Sequence, residues 1–300
     1  MPVIVRELSK KEIEKFEKGT ISTDDYVIGG GISGLLASFY LDIPVIEKGE
    51  TKIPSPFFLW DTRETRELIE KLELPVKPRT IKIGHFYQGK FVSPTEQIQK
   101  IYSVKMGKES SMSEGKTELK ILDFNVSEFI AKLKENVQII NDEIVAIKMK
   151  KIIGKKDVYL RDKLISTIPL PELLNILNIK SNLEYSPIIF ITAQTYEECI
   201  WNNEYDYIYL LDEDIPFYRM TKKEKPVCVL ESLVPVLYSR QFEISTLKIK
   251  ILKYGKILGG TVPDLFDYKI KLLGRFGEWN SDIRTHDIIK KIKSWKNQKI

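Results

Sequence analysis

Residues 24–48 read DDYVIGGGISGLLASFYLDIPVIEK. Asp25–Ile28 predicts a short buried strand. It runs straight into Gly29-Gly30-Gly31-Ile32-Ser33-Gly34, then a helical stretch from Leu35, then a second short strand over Pro44–Glu47. Gly29, Gly31 and Gly34 hold the three glycine positions of a dinucleotide fingerprint. Gly29 permits a tight turn out of the strand. Gly31 lets the backbone approach a pyrophosphate, and Gly34 lets the helix pack close to the sheet. The free N–H groups of Gly30, Ile32 and Ser33 at the helix start suit negative phosphates. Glu47 ends the second strand at the distance where a carboxylate accepts the ribose hydroxyls, and Lys48 follows it. A lone glycine pattern is weak evidence. Strand, turn, helix and acid in this order make it strong.

Working outward, the chain has 300 residues, 43% hydrophobic and 30% charged, which fits a globular protein with a core that needs no disulfide or metal. Its two cysteines, Cys199 and Cys228, have the spacing of neither a zinc site nor a thiol redox pair. The two histidines suggest no metal centre. The start of the chain lacks the apolar stretch of a signal peptide, and no segment approaches a membrane span, so a soluble, cytoplasmic protein is expected. A net charge of +5 drawn from many lysines and acids reads first as a solvated surface, and secondly as a mild preference for a phosphorylated ligand or nucleic acid.

Residues 1–23 read as an appendage with a capping-box pattern at Ser9 and Glu12. Helices are expected over Arg63–Leu72, Val126–Lys134, Pro171–Leu177 and from Asp282 or Thr285 to Ile292. Ile81–Val92 predicts a hairpin turning at Gln88-Gly89, which would put His85 on a surface. Lys105–Glu118 reads as a polar loop. Further strands are expected at Val137–Ile140, Glu143–Met149, Val158–Leu160, Lys163–Ile168, Ile188–Gln194, Tyr205–Leu211 and Cys228–Leu233, while Leu247–Leu258 fits helix or strand. No internal repeat is present.

The segments beginning DDYVIGGG, KLISTIPLPELL (163–174), YIYLLDEDIPFYRM (207–220) and GRFGEW…THDII (274–289) together resemble the flavin amine oxidase and UDP-galactopyranose mutase-like FAD-binding superfamily. The likeness spans most of the chain. It implies an α/β fold: an FAD-binding Rossmann-like domain of the glutathione reductase type, discontinuous in sequence over 24–80, 120–180 and 260–300. A smaller α+β substrate domain would occupy 81–119 and 181–259. It implies FAD as cofactor, with Val145 as a backbone contact to the adenine. Gly274 and Arg275 would bring the chain back to the flavin. The helix beginning near Thr285 would point its positive end at the flavin edge that carries charge when reduced. Arg219 and Arg275 match positions near flavin and substrate, where a planar fork of donors suits a diphosphate. His286 is a third catalytic candidate, against a structural role. Tyr218 and Trp279 fit pocket or core.

Relatives carry a glycine pair soon after the ribose acid. Here KGETKIPSPFFLW holds only Gly49. Three functions follow. The first is an FAD-dependent oxidoreductase acting on a small or nucleotide-linked substrate. The second is a mutase or lyase without net redox, acting on a nucleotide sugar or modified nucleobase. The third is a non-catalytic FAD-binding module. Some relatives act in viral thymine hypermodification, which keeps a nucleic-acid substrate open.

Overall fold

The computed structural model describes residues 24–49, 57–107, 115–201, 203–233 and 244–298. The appendage, the centre of the polar loop and the segment where a second glycine pair would fall lie outside these residues. In chain order the elements are β1 (Asp24–Ile28), α1 (Ile32–Leu41), β2 (Val45–Glu47), β3 (Leu59–Trp60), α2 (Arg63–Lys71), β4 (Lys77–Tyr87), β5 (Lys90–Phe91) and α3 (Glu96–Met106). There follow β6 (Glu118–Asp123), α4 (Val126–Glu135), β7 (Ile139–Asn141), β8 (Ile144–Lys148), β9 (Lys151–Gly154), β10 (Val158–Ser166), α5 (Leu170–Ile176) and β11 (Glu184–Gln194). The last are α6 (Glu198–Trp201), β12 (Tyr207–Leu210), β13 (Phe217–Lys222), β14 (Val227–Ser232), β15 (Ser245–Gly259), β16 (Ile270–Leu272) and α7 (Thr285–Asn297).

Two sheets organise them. The first has the order β7-β2-β1-β10-β9-β8, with β16 also paired to β10. β7, β2, β1, β10 and β16 are mutually parallel, whereas β8, β9 and the first half of β10 form an antiparallel meander. β1 is apolar on both faces because both are covered. Val27 enters a core with Leu35, Leu36, Leu68, Phe129, Ile289 and Ile292, while Tyr26 and Ile28 enter one with Ile46, Leu164, Leu173 and Trp279. This is the α/β architecture expected of an FAD-binding Rossmann-type domain. The second sheet runs β15-β11-β14-β13-β12-β4-β6-β3, with β5 on β4, and is antiparallel except for the β4–β12 pair.

β3 and β6 hydrogen-bond in the second sheet, yet Leu59 and Leu122 pack in the core beneath α1 and α2. The two sheets therefore share a seam there.

Local chemistry explains the helix ends. Thr62 caps α2 reciprocally with Thr65: Thr65 N–H donates to Thr62 Oγ1 (3.3 Å) and Thr62 N–H to Thr65 Oγ1 (3.0 Å). α7 starts after Arg284, one residue earlier than a Thr285 cap and two later than an Asp282 cap, because Asp287 accepts from Arg284 N–H at 2.9 Å.

Several expectations need correction. α3 falls where no helix was read. Its signal is Thr95, which accepts from Ile98 N–H, and the spaced Ile98, Tyr102 and Met106 that it buries. Val158–Leu160 and Lys163–Ile168 are one strand, β10, and β9 was not anticipated. The ambiguous 247–258 stretch is strand, fixed by a long antiparallel ladder to β11. His85 is not on a surface. It is 1% exposed and stacks on Tyr209, with ring centroids 5.3 Å apart. Burial pushes its imidazole down to about 4. Trp279 is core, with its indole N–H donating to Gly259 O at 2.8 Å.

Candidate functional site

The glycine turn joins β1 to α1 and meets the requirements of its sequence. Gly29 has φ +100°, in the region that side chains avoid, and its N–H donates to Ile46 O at 2.9 Å, locking the turn to β2. A Cβ at Gly34 would press into the Gly29 carbonyl, so the third glycine is what brings α1 against β1. Gly31 is different. A Cβ there would meet nothing within 4 Å. It is the N-cap of α1 with no side-chain cap, and it accepts from Leu35 N–H at 2.9 Å. The exposed end of α1 therefore presents bare backbone to open space, with the positive end of the helix behind it.

Glu47 reaches across from β2. One carboxylate oxygen accepts from Gly30 N–H and the other from Gly49 N–H at 3.2 Å. Each oxygen keeps a lone pair for a hydroxyl donor. Lys48 is exposed and lies 3.8 Å from Glu172. Asp142 N–H donates to Glu47 O at 3.1 Å, so the chain entering β8 begins beside the acid. Val145 lies two residues beyond Glu143 on that strand, with its side chain largely exposed. These residues fit an adenosine diphosphate moiety: open backbone for the phosphates, an acid for the ribose, a strand edge for the base.

The second half of the site comes from the far end of the chain. Gly274, at φ +85°, packs on Ser33: a Cβ there would lie 2.8 Å from the Ser33 Cβ. Gly274 thus joins the glycine turn, and Ile32 and Ser33 sit between the two halves. Thr285 opens α7. His286 stacks on Trp60 at 5.5 Å and lies 3.4 Å from the Asp287 carboxylate.

Arg219 and Arg275 approach the same region by different routes. Arg219 is bound: its Nε donates to Glu231 Oε1 at 2.7 Å and its Nη2 to Glu231 Oε2. Glu231 is wholly buried and also accepts from Tyr218 Oη at 2.9 Å. Burial disfavours the Arg219 charge, but Glu231 outweighs it and holds the guanidinium ionised well above its usual range. Tyr218 is pushed up by burial and by Glu231. Among the described residues Arg275 forms no ion pair. Its Nε is buried without a hydrogen bond, and burial, then Arg284, then Arg219 lower its pKa.

Reading the sequence missed Glu231, Trp60 and Arg284. Glu231 stands twelve positions after Arg219 and is brought opposite it only by the β13–β14 register. Trp60 gathers His286 and Arg284 (5.7 Å) from the start of α7 and Lys116 (5.3 Å) from the stretch before β6 around its ring. Among the described residues no cluster suited to a metal ion occurs, and no helix is long and apolar enough to cross a membrane.

A parallel sheet with a glycine turn, an antiparallel meander, and a second, mostly antiparallel sheet define the architecture. The fold is that of UDP-galactopyranose mutase. The structure of the reduced mutase matches with a TM-score of 0.69 at 14% identity, over 92% of this chain and 96% of that one. A putative protoporphyrinogen oxidase from Exiguobacterium matches at 0.60 and 13%, over 93% and 99%. The flavin-dependent monooxygenase PieE, solved in complex with FAD and substrate, matches at 0.53 and 10%, over 85% of this chain and 53% of that one. No family model and no curated protein matches by sequence. The mutase likeness extends through both sheets, so the second sheet is part of the shared architecture.

Proposed function

We propose that this protein is an FAD-dependent enzyme that oxidises a small or nucleotide-linked substrate at the flavin. The observation that carries the reading is the open, side-chain-free backbone at Gly31 with Glu47 held over Gly30. In this reading the first sheet is the FAD domain and the second the substrate domain. The amides of Gly30, Ile32 and Ser33 hold the pyrophosphate, while Gly29 and Gly34 shape the turn. Glu47 holds the ribose, Lys48 flanks the phosphates, and the backbone at Val145 meets the adenine. Gly274, Arg275 and Thr285 border the flavin. When bound, FAD supplies a two-electron acceptor next to the substrate.

The chain's own contribution is charge and orientation. The start of α7 and Arg275 set positive potential where electron density accumulates, and Arg219 is held rigid by Glu231 for the substrate side. His286, stacked on Trp60 beside Asp287 at the start of α7, is placed to move a proton there.

A second reading is a mutase or lyase without net redox. The density of guanidinium groups between the sheets favours it, since such groups suit a diphosphate. Purified protein should be yellow and release one FAD per chain on denaturation. Anaerobic bleaching by a substrate alone supports the oxidoreductase. Turnover only after chemical reduction supports the second reading. Colourless protein that takes up no added FAD refutes both.

A further inference from the structure

The second sheet ends differently on its two sides. β3 has two residues, and its Leu59 is buried beneath α1 and α2. β15 has fifteen, and among the described residues its outer edge pairs with no strand. The first half of β15 carries Leu247, Ile249 and Ile251, which are 54%, 45% and 65% exposed. Ile249 lies across from Ile191, and Ile251 across from Ile189. Both partners are buried in the core cluster of Phe217, Met220 and Leu230. Opposite residues of an antiparallel pair share a face, so the aliphatic row carries that core outward onto the edge strand, where it meets water. Lys248 and Lys250 lie across from Thr192 and Phe190, on the other face. One stretch of chain thus combines an open strand edge, an apolar row and a basic row.

We propose that the outer edge of β15, from Ser245 to Leu252, takes up an extended segment of another protein in which aliphatic and acidic side chains alternate. Uptake at this edge needs no flavin. Strand addition supplies main-chain hydrogen bonds, and alternate side chains supply specificity. Aliphatic residues of the guest close over Ile249 and Ile251, and its acids meet Lys248 and Lys250 across the strands. The charges choose among occupants. A second copy paired antiparallel about Ile249 would join the two aliphatic rows, but it would set Lys248 of each chain across from Lys250 of the other. Like charges directly opposite are destabilising. A bilayer would cover the aliphatic row, but lipid tails offer no hydrogen bonds to a strand edge. The lysines therefore select against self-association and for an acidic guest.

The test titrates the full chain into two fluorescein-labelled heptapeptides, one alternating valine with glutamate and one alternating valine with lysine, and follows anisotropy at low salt. Saturable binding of the glutamate peptide is expected, falling as salt rises, with weaker binding of the lysine peptide. Lys248→Glu should weaken the glutamate peptide about 3- to 10-fold and strengthen the lysine peptide by a similar factor, as a cross-strand attraction becomes a repulsion. Ile251→Ser should weaken the glutamate peptide about 5- to 10-fold through lost apolar burial. Both side chains are exposed, so urea unfolding of the variants should match the wild type. Equal binding of the two peptides, binding of neither, or an unchanged preference in Lys248→Glu would overturn the proposal. A dimer in sedimentation velocity that Ile251→Ser dissociates would overturn it in favour of a second copy. Co-sedimentation with vesicles of phosphatidylserine and phosphatidylcholine that Lys248→Glu abolishes, without uptake of the glutamate peptide, would overturn it in favour of a membrane.

Discussion

Alanine at two glycines of the same turn should break two different things. At Gly34 a methyl group would press into the carbonyl oxygen of Gly29 and sit 2.9 Å from its carbon and 3.0 Å from Thr167 Oγ1. The obstacle is backbone, so α1 must lift from β1, and Gly34→Ala should cost about 3 kcal/mol of stability. At Gly31 a methyl group meets nothing within 4 Å, and the backbone at φ −68°, ψ 177° suits any residue. Only the poorer helix cap counts against Gly31→Ala, about 0.5–1 kcal/mol. Its effect on FAD should be larger. A methyl group in the space of a phosphate oxygen removes a charge-assisted hydrogen bond of about 1.5–3 kcal/mol, which is about 10- to 100-fold in Kd. Urea unfolding of FAD-free protein measures the first quantity, and quenching of flavin fluorescence on titration measures the second. Wild-type FAD affinity in a folded Gly31→Ala chain would refute the placement of the diphosphate. Near-native stability of Gly34→Ala would refute the close packing of helix on sheet.

The Arg219–Glu231 pair is buried on the carboxylate side. Glu231→Ala should therefore cost about 3–5 kcal/mol, and Arg219→Met combined with Glu231→Leu should recover much of that in urea melts. No recovery would mean that Glu231 is held by contacts other than the pair. His85 binds its proton more weakly folded (about 4) than unfolded (about 6.5), so the unfolded chain takes up the proton first and stability falls as pH drops through this window. The loss approaches about 3 kcal/mol below pH 4, and His85→Phe, which keeps a ring against Tyr209, should lack that part of the acid limb. Superimposable pH–stability curves would refute it. Arg161 is buried and donates to the carbonyls of Lys148 (3.2 Å), Lys269 (3.3 Å) and Tyr268. Arg161→Leu should strand those acceptors and destabilise by about 3 kcal/mol without changing FAD affinity. A Kd shift larger than the stability change would link the meander to the cofactor.

The local grammar around residues 24–48 was legible because each step is a short-range constraint. The strand must be apolar on both faces, the turn must lack side chains, and the acid must end the next strand. The strand and the acid recur within one residue of their expected positions, while the turn is shorter than expected, because α1 begins at Ile32, three residues before Leu35. α3 was not read, because its charged face and the neighbouring polar run hid three spaced apolar residues. β15 was ambiguous for the opposite reason: Leu247, Ile249 and Ile251 alternate with lysines, yet all three remain exposed at the sheet edge, so no buried face marks the period.

Sequence alone determined that a dinucleotide-type turn exists, where it lies, and which glycines make it, since those demands are set by backbone sterics within a few residues. Tertiary structure alone decided what surrounds it. The β13–β14 register gave Arg219 to Glu231, and the return of the chain after β16 brought Gly274 against Ser33. The meeting of β3 with the start of α7 put Trp60 beside His286 and Arg284. Charges far apart along a chain neutralise or confront each other only once folding fixes the distance between them, and Coulomb energy depends on that distance and on how much water remains.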